Sequence, residues 1–191
     1  VVDNASEGDD LLRLNNYEFK NVYFIKSSQN LGFSGGNNLG IEHALNCKSD
    51  FILLLNNDTI VQPDFLTTMV SKTEDSTIGV VTPMIKYFDR RDTIWSAGGE
   101  ISKIRASGFT YGFNKNENEF SADLYCTFAS GCCMLIKSEV IKKVGMLDPN
   151  YFLYLEDTDY SFRIINAGYK IYYAASSVIY HKVTATTSKD N

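Results

Sequence analysis

Over the first 85 positions, apolar and polar residues alternate in blocks rather than one by one. Val1 and Val2 form an apolar pair that breaks at Asp3-Asn4-Ala5-Ser6, a strand end running into a turn. Residues 9–16 space Leu11, Leu12 and Leu14 with an imperfect helical period and predict a short helix. Residues 22–26, Val-Tyr-Phe-Ile-Lys, read as a strand. The glycine- and asparagine-rich stretch 29–38 reads as a loop, and Ile41, Ala44 and Leu45 predict a helix over 39–45. Residues 51–55, Phe-Ile-Leu-Leu-Leu, show no alternation, which suits a strand covered on both faces. Pro63 and Asp64 open a helix to about residue 73, and 78–83 is a further short strand.

The second half is less regular. Between 87 and 125 the pattern loosens around the pair Gly98-Gly99 and a polar loop at 114–119. An apolar strand over 128–136 follows, then a helix over 138–144 capped by Ser138 and closed by Gly145. A helix over 156–167 ends at Gly168, and strands over 171–173 and 178–180 lead to His181. Strands alternating with helices predict an α/β domain on a mostly parallel central sheet. Ligands of such sheets bind beyond the carboxyl ends of the strands. The polar clusters 3–4, 30–38 and 56–58 all fall at such ends.

Composition narrows the classes. A chain of 191 residues fits one domain. With 44% hydrophobic and 21% charged residues, it is neither a disordered chain nor a coiled coil. The net charge of -5 argues against a nucleic-acid binder and is compatible with a carboxylate metal site. Cys47, Cys126, Cys132 and Cys133 lack zinc-site spacing. Cys132 and Cys133 lead an apolar run and read as buried reduced thiols, which suggests a cytoplasmic protein. The longest apolar runs, such as 51–55, are far short of the roughly 20 residues of a membrane span. A peripheral contact with the inner face of a membrane stays open.

Four features could carry chemistry. Glu156, Asp157 and Asp159 crowd three carboxylates into four positions, which suits a cation, a substrate hydroxyl or proton transfer. The same acids equally suit a helix start favoured by the helix dipole. Asn56, Asn57 and Asp58 leave a buried strand with two amides and one carboxylate, ligands for Mg2+ or Mn2+ carrying a diphosphate. They also suit an ordinary turn. Glycines within 30–38 would let the backbone approach a ligand, yet the stretch is neither G-x-G-x-x-G nor a P-loop. His181 after a strand reads as structural or as a ligand, and His43 is given no role.

In order and spacing these pieces resemble the family 2 glycosyltransferases of GT-A fold, in their rhamnosyltransferase-like branch. The resemblance rests on Val2-Asp3-Asn4-Ala5-Ser6, the run Asn30 to Asn38, Leu54-Leu55-Asn56-Asn57-Asp58, Ala97-Gly98-Gly99, Ser130-Gly131-Cys132-Cys133, the run Gly145 to Arg163, Ala167-Gly168-Tyr169-Lys170 and His181. It implies a Rossmann-like sheet with helices on both faces. Residues 1–85 would form the nucleotide-sugar half and 86–191 the acceptor and catalytic half of a single domain. It also implies inverting transfer of a sugar from a nucleotide-diphosphate donor to a hydroxyl of a glycan or lipid-linked saccharide. Asp3 would contact the nucleoside, with Asn30, Asn38, Asn56 and Asn57 around the donor. Asp58 and His181 would hold Mg2+ or Mn2+. Asp157 would be the general base, and Glu156 would orient the acceptor. Asn56 stands where the family's first metal-motif Asp is usual, Asn37 where Arg is frequent, and Ala175 where Pro is common. The resemblance also makes Val1-Val2-Asp3 a second strand, with a first strand and helix lacking and their place open to a partner chain or homo-oligomer. The alternative is a truncated or non-catalytic nucleotide-sugar-binding module. A sugar nucleotidylyltransferase shares the sheet-edge logic but needs a basic glycine-rich loop that is not seen here.

Overall fold

The computed structural model describes residues 1–8, 13–14, 19–102, 104 and 107–183, so the helix expected over 9–16 lies outside the described residues except at Arg13 and Leu14. In chain order it contains strands Val2–Asp3 (β1) and Ile25–Lys26 (β2), helix Gly32–Asn46 (α1), and strands Phe51–Leu55 (β3) and Thr59–Val61 (β4). Helix Phe65–Ser71 (α2) precedes strands Ile78–Tyr87 (β5), Ile94–Ser96 (β6), Gly99–Ser102 (β7), Ser107–Thr110 (β8), Leu124–Cys126 (β9) and Cys133–Lys137 (β10). Helices Ser138–Val144 (α3) and Glu156–Asn166 (α4) and strand Lys170–His181 (β11) complete it.

The seven-stranded sheet runs β3-β10-β5-β11-β4, with β6 added to β5 and β9 to β11. β5 and β11 pair in parallel, whereas β10 pairs antiparallel with both β3 and β5. β3, β5 and β11 therefore share one direction, as the strand–helix alternation predicts. The expectation of a mostly parallel sheet is corrected to a mixed one, because β10 inserts between β3 and β5 and β4, β6 and β9 also pair antiparallel. No local pattern announces an insertion from so far along the chain. β1 and β2 form a separate parallel ribbon, against which α1 also packs.

The strand residues alternate between two cores. Ile52, Leu54, Met134, Ile136 and Val80 join Ile41 of α1, Val140 and Ile141 of α3, and Tyr160 and Ile164 of α4. Leu53, Leu135, Val81 and Ile85 join Phe65 and Met69 of α2 on the other face. Helices thus cover both faces, and β5, buried at every position, is the middle of the sandwich. The two strands expected at 171–173 and 178–180 are one strand with a bulge. Ala174 pairs with Pro83 and Val178 with Met84, so residues 175–177 swell out opposite a proline that has no N–H to donate. This displaced segment is tied down elsewhere. The Ala175 N–H donates to Asp123 Oδ1 at 2.8 Å and the Ser177 hydroxyl to the Phe65 carbonyl at 2.9 Å.

The expected loop at 29–38 is largely the first part of α1. Its glycines make room for the protein itself. A Cβ on Gly32, whose φ is +69°, would lie 2.3 Å from the Phe152 carbonyl oxygen, and one on Gly36 would lie 3.1 Å from the Asn4 side chain. The cysteine expectation matches the geometry: Cys132 and Cys133 are buried and free. Burial alone pushes the Cys133 thiol up to about 12.

Candidate functional site

β3 ends at the turn carrying Asn56, Asn57 and Asp58, and that turn is pinned on three sides. The Asn56 N–H donates to the Cys132 carbonyl at 3.0 Å, the Thr59 hydroxyl to the Asn56 carbonyl at 2.7 Å, and the Lys182 N–H to the Asp58 carbonyl at 2.9 Å. β4 then pairs with the end of β11, setting Thr59 opposite His181. His181 Nε2 consequently lies 3.2 Å from Asp58 Oδ1. That contact lacks hydrogen-bond geometry, which leaves Asp58 Oδ1 a buried polar atom without a hydrogen-bond partner; the other ring nitrogen of His181, Nδ1, is likewise buried without one. The His181 ring is held edge-on to Trp95, with centroids 4.7 Å apart. An unpartnered buried polar atom costs about 1–3 kcal/mol. An anionic oxygen left without a partner beside an imidazole is a donor set that suits a divalent cation. Among the described residues no group of three or more His, Cys, Asp or Glu could hold a metal. A cation here would draw its remaining oxygens from a bound phosphate group and water.

The second pole is the start of α4. Tyr154 and Leu155 both adopt left-handed backbone angles, φ 70° and 68°, just before Glu156. Non-glycine residues pay roughly 1–2 kcal/mol for this conformation. The strain is held by docking on both sides of the turn. The Phe33 N–H donates to the Phe152 carbonyl at 2.7 Å, and the Asp159 N–H to the Leu155 carbonyl at 2.9 Å. Further along α4, the Tyr160 hydroxyl donates to the Gly145 carbonyl, while Arg163 pairs with Asp159 at 2.7 Å and donates to the Val144 and Met146 carbonyls. Asp157 Oδ2 accepts the Gly131 N–H at 3.2 Å. Burial raises the Asp157 carboxyl above its ordinary range, against the lowering pull of the Gly131 and Thr158 hydrogen bonds. Glu156 is only 6% exposed, its Oε2 has no partner, and burial raises it too.

The turn 130–132 links the two poles. Gly131 touches Asp157, where a Cβ would sit 3.7 Å from the Asp157 Cβ, and the next residue, Cys132, holds Asn56. Burial, followed by the charges of Cys133 and Asp58, raises the Cys132 thiol well above the ordinary value. Asp58, His181, Asn56 and Asp157 are thus gathered around one turn.

The remaining expected residues sit apart. Asp3 Oδ1 accepts the Ser6 N–H at 2.9 Å, a bond that lowers its pKa. Asn30 Oδ1 accepts from Asn4 Nδ2 and from the Gly32 N–H. Asn38 donates to the Leu147 carbonyl at 2.8 Å and accepts the Leu147 N–H at 3.1 Å. Its amide is engaged at both ends, bracing α1 to the turn before α4. Asn57 is exposed at the tip of the β3–β4 turn. Sequence reasoning missed Trp95 against His181 and Gly131 against Asp157. The lone tryptophan and the Ser-Gly-Cys-Cys run were visible, but nothing local says what they face.

These features belong to a known class. A family model described as "Glycosyltransferase like family 2" matches residues 11–190, and the chain belongs to that family. Over 164 residues it is 25% identical to the low-salt glycan biosynthesis hexosyltransferase Agl10 of Haloferax volcanii, covering 85% of this chain and 52% of that protein. Over 166 residues it is 21% identical to the dTDP-rhamnosyl transferase RfbF of Shigella flexneri, covering 87% and 54%. A shorter match, 36% over 58 residues, covers 30% of this chain and 19% of an N-acetylglucosaminyl-diphospho-decaprenol L-rhamnosyltransferase of Mycobacterium tuberculosis. The chain spans about half the length of the first two relatives. Among solved structures, GalNAc-T7 with UDP, GalNAc and Mn2+ superposes with a TM-score of 0.71 at 17% identity, over 95% of this chain and 37% of that one. The mannosyltransferase PcManGT of Pyrobaculum calidifontis, in complex with GDP-Man and Mn2+, gives 0.68 at 14%, over 97% and 48%. The fold is GT-A. Among the described residues no helix is long and apolar enough to cross a membrane.

Proposed function

We propose that this chain is the GT-A domain of an inverting, metal-assisted glycosyltransferase. It would move a sugar from a nucleotide-diphosphate donor to a hydroxyl of a glycan or lipid-linked saccharide. The supporting observation is the pair of poles around the 130–132 turn: an unpartnered Asp58–His181 pair on one side and a half-buried Asp157 on the other. Residues 1–85 supply the donor side in this reading, through Asp3, Asn56, Asn57 and the neighbourhood of Asn30. Residues 86–191 supply the acceptor side. The names of the relatives, which include a hexosyltransferase and rhamnosyltransferases, support a hexose-type donor.

Asp58 and His181 would hold Mg2+ or Mn2+, which would supply positive charge against the charge developing on the leaving diphosphate. Asp157 accepts the proton of the acceptor hydroxyl as that oxygen attacks the anomeric carbon from the face opposite the diphosphate. Burial raises its pKa, which makes it a better base than an exposed aspartate. Glu156 orients the acceptor-side helix start. A cytoplasmic, peripheral position fits a lipid-linked acceptor, and a homo-oligomer is compatible with it. The test is a donor screen on the full-length protein with Mn2+ or Mg2+, read as nucleotide release dependent on an acceptor saccharide. No release from any common donor, with tight nucleotide-sugar binding by calorimetry, would replace this reading with the non-catalytic binding module.

A further inference from the structure

The main chain of His181 is fixed on both sides. It pairs with Thr59 of β4 and with Tyr87 of β5, and its carbonyl accepts the Phe88 N–H at 3.0 Å. Ile179 and Ile85 pair two residues earlier and are buried in the core under α2. Alternation along the strand sets the His181 side chain on that same face. Strand pairing does not fix the rotation of the ring. A histidine that binds a metal through one ring nitrogen ordinarily donates the N–H of the other to a carboxylate, a carbonyl or water, and that bond sets its orientation. His181 turns Nε2 towards Asp58 Oδ1, 3.2 Å away, yet Nδ1 is buried with no hydrogen-bond partner among the described residues.

The ring packs against Trp95 instead. Their centroids are 4.7 Å apart and their planes cross at 79°, the edge-to-face arrangement that aromatic rings favour. Trp95 reaches this place through a break in strand pairing. Ile85 of β5 pairs with Ser96, and the next residue, Lys86, pairs with Ile94, so Trp95 is the extra residue of a bulge in β6. Such bulges re-aim a side chain. Ile94 and Ser96 on either side are fully buried, and Ile94 joins the opposite core, whereas Trp95 packs against the core that contains Ile85, Cys132 and Ile179. The Cys132 carbonyl in turn accepts the Asn56 N–H and so holds the turn that carries Asp58. The indole thus rests on the part of the core that also carries the Asp58 turn.

We propose that Trp95 is a positioning residue for the cation site: by packing against His181 it holds the imidazole with Nε2 towards Asp58, in place of a hydrogen bond to Nδ1. The proposal rests on the reading of Asp58 and His181 as cation ligands, and it gives Trp95 no contact with the cation or the sugar. Because the indole acts by its shape, a phenyl ring replaces it in part and an aliphatic side chain does not.

The test uses the full-length protein and Mn2+ alone, titrated into the millimolar range. Bound Mn2+ is counted by electron paramagnetic resonance of the free ion and, in parallel, by quenching of tryptophan emission. Trp95 is the one tryptophan of these 191 residues, so the emission lost in Trp95→Phe belongs to it. In the parent that emission should be quenched saturably by Mn2+, and Mg2+ should relieve the quenching by competition. Trp95→Leu should weaken Mn2+ binding about tenfold, and Trp95→Phe by no more than about threefold. In the nucleotide-release assay the leucine variant should need about tenfold more Mn2+ for half-maximal rate and approach the parent's rate at saturation. A merely structural role would lower Tm and leave the Mn2+ affinity unchanged. Circular dichroism shows whether the variants fold, and Trp95→Met takes the place of Trp95→Leu if the latter does not. An unchanged Mn2+ affinity in the folded aliphatic variant, or equal losses in it and in Trp95→Phe, would overturn the proposal. So would a parent that binds Mn2+ without quenching of Trp95, a result that needs no folded aliphatic variant. No Mn2+ binding by the parent, or binding that persists at full strength in the double variant Asp58→Asn with His181→Ala, would instead overturn the cation reading on which the proposal rests.

Discussion

Asp58 leaves the end of a sheet strand, while Asp157 enters the first turn of a helix. The Asp58 turn is fixed by main-chain bonds to Cys132 and Lys182 and by the β4–β11 ladder, so its geometry follows from strand pairing. The Asp157 turn follows two left-handed residues and exposed Phe152, Leu153, Tyr154 and Leu155. Its position depends on docking: Phe33 on Phe152, Gly131 on Asp157, and Tyr160 and Arg163 on the 144–146 turn. One pole is therefore rigid by topology. The other is held by a few long-range bonds against local strain, which would suit the acceptor site proposed for it.

The largest expected effect falls on the docked pole. Asp157→Asn keeps the shape and can still accept the Gly131 N–H through its amide oxygen, but it removes the base. Acceptor-dependent nucleotide release should fall by about 10²–10⁴-fold with Tm little changed. For the parent, the acid limb of the pH–rate profile should lie above the ordinary aspartate range, because burial raises the Asp157 pKa and protonation on acidification removes the base. A variant with undiminished release would take proton transfer away from α4. At the topological pole, Asp58→Asn should raise the Mn2+ concentration needed for half-maximal activity by about 10–100-fold. An unchanged metal requirement would detach Asp58 from the cation.

The two poles were unequally legible from sequence. The unbroken run 51–55 marked β3 and the turn that carries Asp58, because a strand covered on both faces has a local signature. The joining of Asp58 to His181 came only through the family resemblance, since the β4–β11 pairing that makes it spans more than a hundred residues. The stretch 29–38 reads as a loop in sequence yet is largely helix, because glycine signals close approach without saying to what. Here the neighbours are Phe152 and Asn4. The bulged β11 looked like two strands because its break answers Pro83 in another strand. Resemblance to a family recovered the order of motifs, whereas the bracing role of Asn38 needed coordinates.

Asn38→Ala sharpens the contrast in stability. It leaves both the N–H and the carbonyl of Leu147 without their partner, at a cost of about 2 kcal/mol or roughly 4–8 °C in Tm. Hydrogen exchange should quicken over residues 145–163 and stay unchanged in β3 and β11. Uniform quickening would mean that the α4 pole is no more independent of the sheet than Asp58 is.

The smallest effect has the opposite sign. Glu156 is buried beside Asp157, with one oxygen unpartnered and its pKa raised by burial. A carboxyl whose folded pKa exceeds its unfolded value binds its proton more tightly in the fold. Its stabilising contribution is full below the ordinary carboxylate range and is lost as pH rises through the raised value. Near neutral pH the ionised side chain is therefore a burden on the helix start. Glu156→Gln should raise Tm by roughly 2–4 °C at about pH 7.5, equivalent to about 1 kcal/mol. The gain should vanish below about pH 4, where the parent carries its proton in both states. A lower Tm for the variant at neutral pH would mean that the ionised carboxylate is compensated in place. The helix start would then hold its charges by pairing, and the contrast with the unpartnered Asp58–His181 pole would fail.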